Sequence, residues 1–110
     1  MMRGDLYRSA ATPDGDPRRY RVYLVVSRAE LIASRFSTVI CAPVYTFGEG
    51  LATQVQLSPA HGLKHDSWVR CDELTSVPKS ALTAFVGRLP DTLMLKVNAA
   101  LAAALGLDSG

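Results

Sequence analysis

A small, strongly bent antiparallel sheet or half-barrel, with one helix laid on it, is the mainly β fold class that this sequence predicts. Three observations predict it. Five or six short runs rich in β-branched and aromatic residues are separated by Gly and Pro punctuation. The hydrophobic period changes once, to helical spacing, near the C-terminal end. The length of 110 residues suits a single compact unit, so 1–110 is read as one domain.

The elements follow in order. Residues 5–7 make a short first strand, bounded by Thr12-Pro13-Asp14-Gly15-Asp16-Pro17, a strong loop signal. Residues 20–26 (YRVYLVV) read as a central strand, apolar on both faces near its end. Residues 28–34 have helical composition but are too short to stand alone, with Leu31 and Ile32 as anchors. Residues 38–44 (TVICAPV) form another buried strand, and Pro43 predicts a bulge or a sheet edge near its end. After a flexible turn at 47–50, residues 53–57 alternate as a half-exposed strand should. A loop at 58–66 leads into a second alternating run at 67–74, and 83–89 supplies the last strand. Pro90-Asp91 then starts a helix in which Met94, Val97, Leu101 and Leu105 recur at helical spacing. Leu93, Ala100 and Ala104 widen the stripe, and Gly106 is placed to cap it.

Composition narrows the function classes. A chain that is 48% hydrophobic and 20% charged is not disordered, and 8 Gly, 6 Pro and 2 Cys exclude collagen-like and disulfide-dense classes. Net charge of +2 permits a nucleic-acid partner without demanding one. Cys41 and Cys71 both lie in apolar runs, which predicts buried free thiols in a reducing cytoplasm, although a disulfide between them stays open. Residues 1–5 are polar and lead into no apolar segment, and no window approaches a membrane span, so a cytoplasmic protein without a membrane partner is expected. His61 and His65 are spaced i, i+4, but they fall in a Gly- and Pro-containing loop with no third ligand. They read as solvated histidines, with no metal and no cofactor expected.

Arg70-Cys71-Asp72 carries more chemistry. If 67–74 is a strand, Trp68, Arg70 and Asp72 share one face while Cys71 points to the other. A cation, a carboxylate and an aromatic together can hold a phosphate, activate a hydroxyl and stack a base. Taken alone, the pair reads more simply as a surface ion pair.

Several segments resemble one family. Arg3-Gly4-Asp5-Leu6-Tyr7, Arg21 through Ser27, Thr38 through Val44, Gly62 through Leu74, and Val86-Gly87-Arg88-Leu89 stand in the order and spacing of motifs in the MazF/PemK/Kid toxins of bacterial toxin–antitoxin pairs. The resemblance covers nearly the whole chain. It implies an SH3-like small barrel with a terminal helix, a homodimer, and metal-independent, sequence-selective cleavage of single-stranded RNA, usually messenger RNA. It also implies a cognate antitoxin whose acidic tail blocks the RNA groove, with DNA reached only through that antitoxin.

The resemblance also implies site residues. Arg21, Arg70, Asp72 and a Ser or Thr after the Ala-Pro-Val run are its candidate catalytic set. Here Tyr45 occupies the family's hydroxyl position and Thr46 comes one place later. Either a bulge at Pro43 restores the hydroxyl, or Tyr45 replaces it. Arg18, Arg19, Tyr45 and Trp68 are the candidate RNA-binding residues. Asp72 can take the 2′-hydroxyl proton, although Arg70 beside it would weaken it as a base. Arginine stays charged, so its role is a fork on the phosphoryl oxygens. Two other functions fit the fold: a CcdB-like, non-enzymatic gyrase inhibitor and an RNA-binding member that cuts weakly. The gyrase poisons end in Trp-Gly-Ile, whereas this chain ends Leu105-Gly106-Leu107-Asp108-Ser109-Gly110 and keeps Arg70 and Asp72.

Overall fold

The computed structural model describes residues 1–9 and 21–107. The predicted loop at 12–17, with Arg18 and Arg19 beyond it, lies outside the described residues. Seven strands and two helices follow in the order β1 (Asp5–Ser9), β2 (Val22–Val25), α1 (Ala29–Ala33), β3 (Thr38–Tyr45), β4 (Gln54–Leu57), β5 (Ser67–Arg70), β6 (Thr75–Pro78), β7 (Leu82–Arg88) and α2 (Asp91–Leu105). All the pairings are antiparallel, in the order β4-β5-β3-β2-β1-β7, with β6 also on β3.

β3 organises the sheet. Its first half pairs with β6 from Thr38↔Pro78 to Cys41↔Thr75, and its end pairs with β5 at Val44↔Val69 and Tyr45↔Trp68. Its other edge stays on β2 throughout, from Val25↔Cys41 to Val22↔Val44. Of the bulge or edge expected at Pro43, the bulge is absent, since the register with β2 runs unbroken through Tyr23↔Pro43, and the edge is local, on the side between β6 and β5. The amide of Val26 donates to the Ile40 carbonyl, so Ile40, Ala42 and Val44 address β2. Pro43 consequently turns its missing donor to the opposite edge, at the gap where β6 gives way to β5. A central strand tolerates proline there because no ladder bond is lost.

Period-two alternation splits the apolar residues between two cores. Leu6, Leu24, Ala42, Val44, Val55, Leu57 and Val69 face α2, which adds Val97 and Ala100. Val25, Val39, Cys41, Val77 and Leu82 form the second core, flanked by Tyr7, Tyr23 and Ile32. Leu6 and Leu24 pair across β1 and β2 and are fully buried. Each contributes about 1.5–3 kcal/mol through lost apolar exposure. The helical stripe holds at Leu93, Met94, Val97, Ala100, Leu101 and Ala104. It fails at Leu105, which is 58% exposed. Gly106 adopts the left-handed conformation, and the Leu107 amide reaches back to the Ala102 carbonyl at 2.8 Å, closing the predicted C-cap.

Two further expectations change. The run 67–74 is not one strand: β5 stops at Arg70 and Cys71–Glu73 form a 3₁₀ turn before β6. Among the described residues the strand count is thus seven, not five or six. Cys41 and Cys71 are free and buried, in different cores.

Two backbone crossings hold the connection between β4 and β5 in place. Gly62, at φ +92°, would place a Cβ 2.3 Å from the Val86 carbonyl, and one on Gly87 would lie 2.3 Å from the His61 carbonyl. The connection between β4 and β5 therefore lies directly against β7, and this seam narrows an otherwise open barrel. At the other end of the sheet, the buried Asp5 carboxylate accepts from Arg88 Nε at 2.6 Å and from the Met2 amide at 2.7 Å. Arg3 donates to the Val26 carbonyl and to Asn98 Oδ1. The Arg3-Gly4-Asp5 and Gly87-Arg88 motifs thus join β1, β2, β7 and α2.

Candidate active site

Arg21 immediately precedes β2, Tyr45 ends β3 and Arg70 ends β5, so three strands that meet at β3 deliver three side chains to one place. The Arg21 guanidinium carbon lies 4.2 Å from the centre of the Tyr45 ring, and that of Arg70 lies 4.7 Å from it. Two cations held on one aromatic ring repel each other, and the ring's negative faces offset part of that cost. The arrangement is poised for an anion to complete the compensation.

Arg70 has a carboxylate partner, but it is Glu73 and not Asp72. Its Nε lies 2.8 Å from Glu73 Oε2, across the 3₁₀ turn, which aligns residues three apart. The N–H does not point at that oxygen. Arg70 Nε is a buried donor without an aligned acceptor, alone in this among the described residues. Asp72 turns elsewhere: its Oδ2 accepts from Thr53 Oγ1 at 2.6 Å, while the adjacent Cys71 amide donates to the Thr53 carbonyl at 3.0 Å. The strand alternation that put Asp72 on the face of Arg70 is lost where β5 ends. Burial, and then the Asp72 charge, push the Cys71 thiol up to about 11, so it is protonated at neutral pH and idle as a nucleophile.

Arg21 also lines a cleft of about 580 Å³ between β1, β2, the end of β3, β7 and the connection before β5. Thr46 lines it too. The chain turns after Tyr45, so Thr46 reaches the cleft while Tyr45 carries the arginines, and no bulge is needed. Arg8, Lys64, His65 and Ser67 supply the remaining polar wall, and Phe85, 55% exposed, supplies an aromatic one. Phe85 meets Tyr7 edge-to-face at 5.6 Å, which fixes its ring in place. Phe85 and Arg8 were not singled out from the sequence, because neither lies in a motif and only the β1–β7 pairing at Tyr7↔Phe85 and Arg8↔Ala84 brings them here.

Trp68 shares the face of Arg70 on β5 and lies opposite Tyr45. One face of its half-buried indole is covered: a Cβ on Gly48 would sit 2.2 Å from the ring, so the backbone after Thr46 rests directly on it. The stacking role read from the sequence is closed to that face in this conformation. Among the described residues no group of His, Cys, Asp and Glu is arranged to hold a metal ion.

The family described as PemK-like, MazF-like toxin of type II toxin-antitoxin system matches residues 2–105. The chain belongs to this family. Of its relatives, a protein of Mycolicibacterium smegmatis named probable endoribonuclease MazF is 35% identical over 112 residues, spanning 97% of this chain and 98% of that protein. Endoribonuclease MazF3 of Mycobacterium tuberculosis is 34% identical over 78% of this chain and 79% of its own length. A solved structure of an endoribonuclease in complex with its cognate antitoxin, from a mycobacterial species, superimposes with a TM-score of 0.83 at 25% identity. It covers 100% of this chain and 99% of that one. The small-barrel fold of PemK/MazF toxins is therefore the fold of this chain. No helix among the described residues is long and apolar enough to cross a membrane.

Proposed function

We propose that this chain is the toxin of a toxin–antitoxin pair and a metal-independent endoribonuclease that cuts single-stranded RNA, chiefly messenger RNA, at a preferred sequence. The observation that carries this reading is the convergence of Arg21 and Arg70 on Tyr45 beside the cleft holding Thr46. The names of the relatives and the family match over residues 2–105 support it, and they support reading the chain as one toxin domain.

In this mechanism the ribose 2′ oxygen attacks the adjacent phosphorus and the bond to the 5′ oxygen breaks. The products are a 2′,3′-cyclic phosphate and a 5′-hydroxyl. Arg21 and Arg70 hold the phosphoryl oxygens through guanidinium forks, and the unaligned Nε–H of Arg70 gains an acceptor as charge develops there. The Thr46 hydroxyl hydrogen-bonds the phosphate from the cleft. Asp72 acts through Thr53, fixing the segment after Thr46. Phe85, and Arg18 and Arg19 where the chain enters β2, bind flanking nucleotides. The toxin works in the cytoplasm as a homodimer, and an acidic antitoxin tail neutralises the same cationic cluster, meeting DNA only through the antitoxin.

The experiment is incubation with a long single-stranded RNA in EDTA, with the cut ends mapped. Fragments ending in 2′,3′-cyclic phosphate at a recurring sequence are expected. Arg21→Ala and Arg70→Ala should each slow cutting by about 10²–10³-fold. Intact RNA after incubation with the folded wild-type protein would overturn the reading.

A further inference from the structure

Transphosphorylation needs a group that accepts the 2′-hydroxyl proton, and among the described residues the cationic cluster offers only Glu73, which sits on Arg70 at 2.8 Å and does not line the cleft. Arg21 and Arg70 are already protonated. Asp72 is engaged with Thr53 and does not line the cleft. Among the described residues, the charged and titratable groups that do line it are Arg8 from β1, Arg21 from the start of β2, and Lys64 and His65 from the connection before β5. The hydroxyls of Thr46 and Ser67 are not bases at neutral pH. Among the described residues, His65 is the single lining side chain whose neutral form carries a basic nitrogen lone pair.

Its placement is fixed by the fold. The Ser67 hydroxyl, on a residue only 4% exposed, donates to the His65 carbonyl at 2.9 Å and holds the backbone at the mouth of β5. The Gly62–Val86 and Gly87–His61 crossings pin the same connection to β7 from its other end. The two histidines, equivalent in the sequence, are thereby separated. His61 lines a different hollow, beside Gln54 and Lys96, whereas His65 lines the cleft of Arg21 and Thr46.

We infer that His65 is the general base of the cleavage reaction, a role that rests on the nuclease reading above. His65 takes the 2′-hydroxyl proton as the 2′ oxygen bonds to phosphorus. The P–O5′ bond breaks, and the departing oxygen takes its proton from water.

The test is single-turnover cleavage of a mapped RNA across pH by the wild type, His65→Gln, His65→Ala and His61→Gln. Wild-type and His61→Gln rates should rise with pH and then level off, because a general base must shed its own proton before it can take another. His65→Gln should lose about 10²-fold or more on the plateau and lose the limb itself. Its affinity for RNA carrying a 2′-deoxy residue at the cut position should stay unchanged, and added imidazole should restore part of the His65→Ala rate. A merely structural role for His65 would not produce a vanished limb with retained binding and imidazole rescue. A wild-type pH limb retained in His65→Gln would overturn the assignment while leaving the nuclease intact. No cleavage by the wild type would overturn both.

Discussion

Gly87→Ala tests whether the seam between β7 and the β4–β5 connection holds the cleft together. The added Cβ would lie 2.3 Å from the His61 carbonyl oxygen, where ordinary contact begins at 3.4 Å. The obstacle is backbone, so no rotamer change relieves it and the two segments must part by roughly 1 Å, the difference between those distances. Overpacking of this kind costs about 1–3 kcal/mol, and the lower entropy of an unfolded alanine returns about 0.4–1. The net loss of about 1–2 kcal/mol corresponds to a Tm lower by about 5–10 °C for a domain of this size. Thermal and denaturant unfolding read the loss. Since Lys64 and His65 ride on the displaced segment, RNA cleavage should fall at temperatures where the variant is still folded. Gly62→Ala opens the same seam from the opposing segment, so the double variant should be less destabilised than the sum of the two. A Gly87→Ala protein with wild-type Tm, or strict additivity in the pair, would refute the seam.

Other expectations follow from single contacts. Arg70→Lys keeps the charge but loses the planar fork and its place on the Tyr45 ring, so kcat/KM on RNA should fall about 10- to 100-fold with the fold intact. Wild-type kinetics in that variant would show that only charge matters. Burial pushes Cys41 up to about 12 and Cys71 up to about 11, from the usual 9.0. Because both values are raised in the folded state, their stabilising contribution is complete below about pH 9 and is lost as pH climbs through 11 to 12. Denaturant midpoints across that range should decline. Thiol-reactive dye at pH 8 should label the native protein no faster than it unfolds; rapid labelling would contradict the burial.

What could be read in advance follows the range of the interactions. The α2 stripe was legible because helical spacing and Gly106 are local signals, and Leu105 escaped because burial depends on tertiary packing and not on spacing alone. β3 was legible as an unbroken apolar run. The handover from β6 to β5 that excuses Pro43 was not, since it joins segments far apart in the chain. Cys71–Glu73 keep a strand-like alternation while forming a 3₁₀ turn, so Arg70 was matched to Asp72 when Glu73 is its neighbour. Asp5 and Arg88 were noticed only as letters of two motifs, although they make one ion pair. For the site, the family resemblance picked out Arg21, Thr46 and Arg70 as residues. Their meeting around Tyr45, the covering of Trp68 by Gly48, and the entry of Phe85 and His65 into the cleft required the pairing of strands.

One substitution in the substrate probes the chemistry more directly than any in the protein. Replacing the ribose at the mapped cut position by 2′-deoxyribose removes the attacking oxygen and leaves the phosphate, the bases and every contact to Arg21, Arg70 and Thr46 available. Binding should persist and scission should cease, with the all-ribose strand still yielding its cyclic end. Cutting of the deoxy-substituted strand at that same linkage would mean that water or a protein group attacks phosphorus, and the account of this cleft would be wrong.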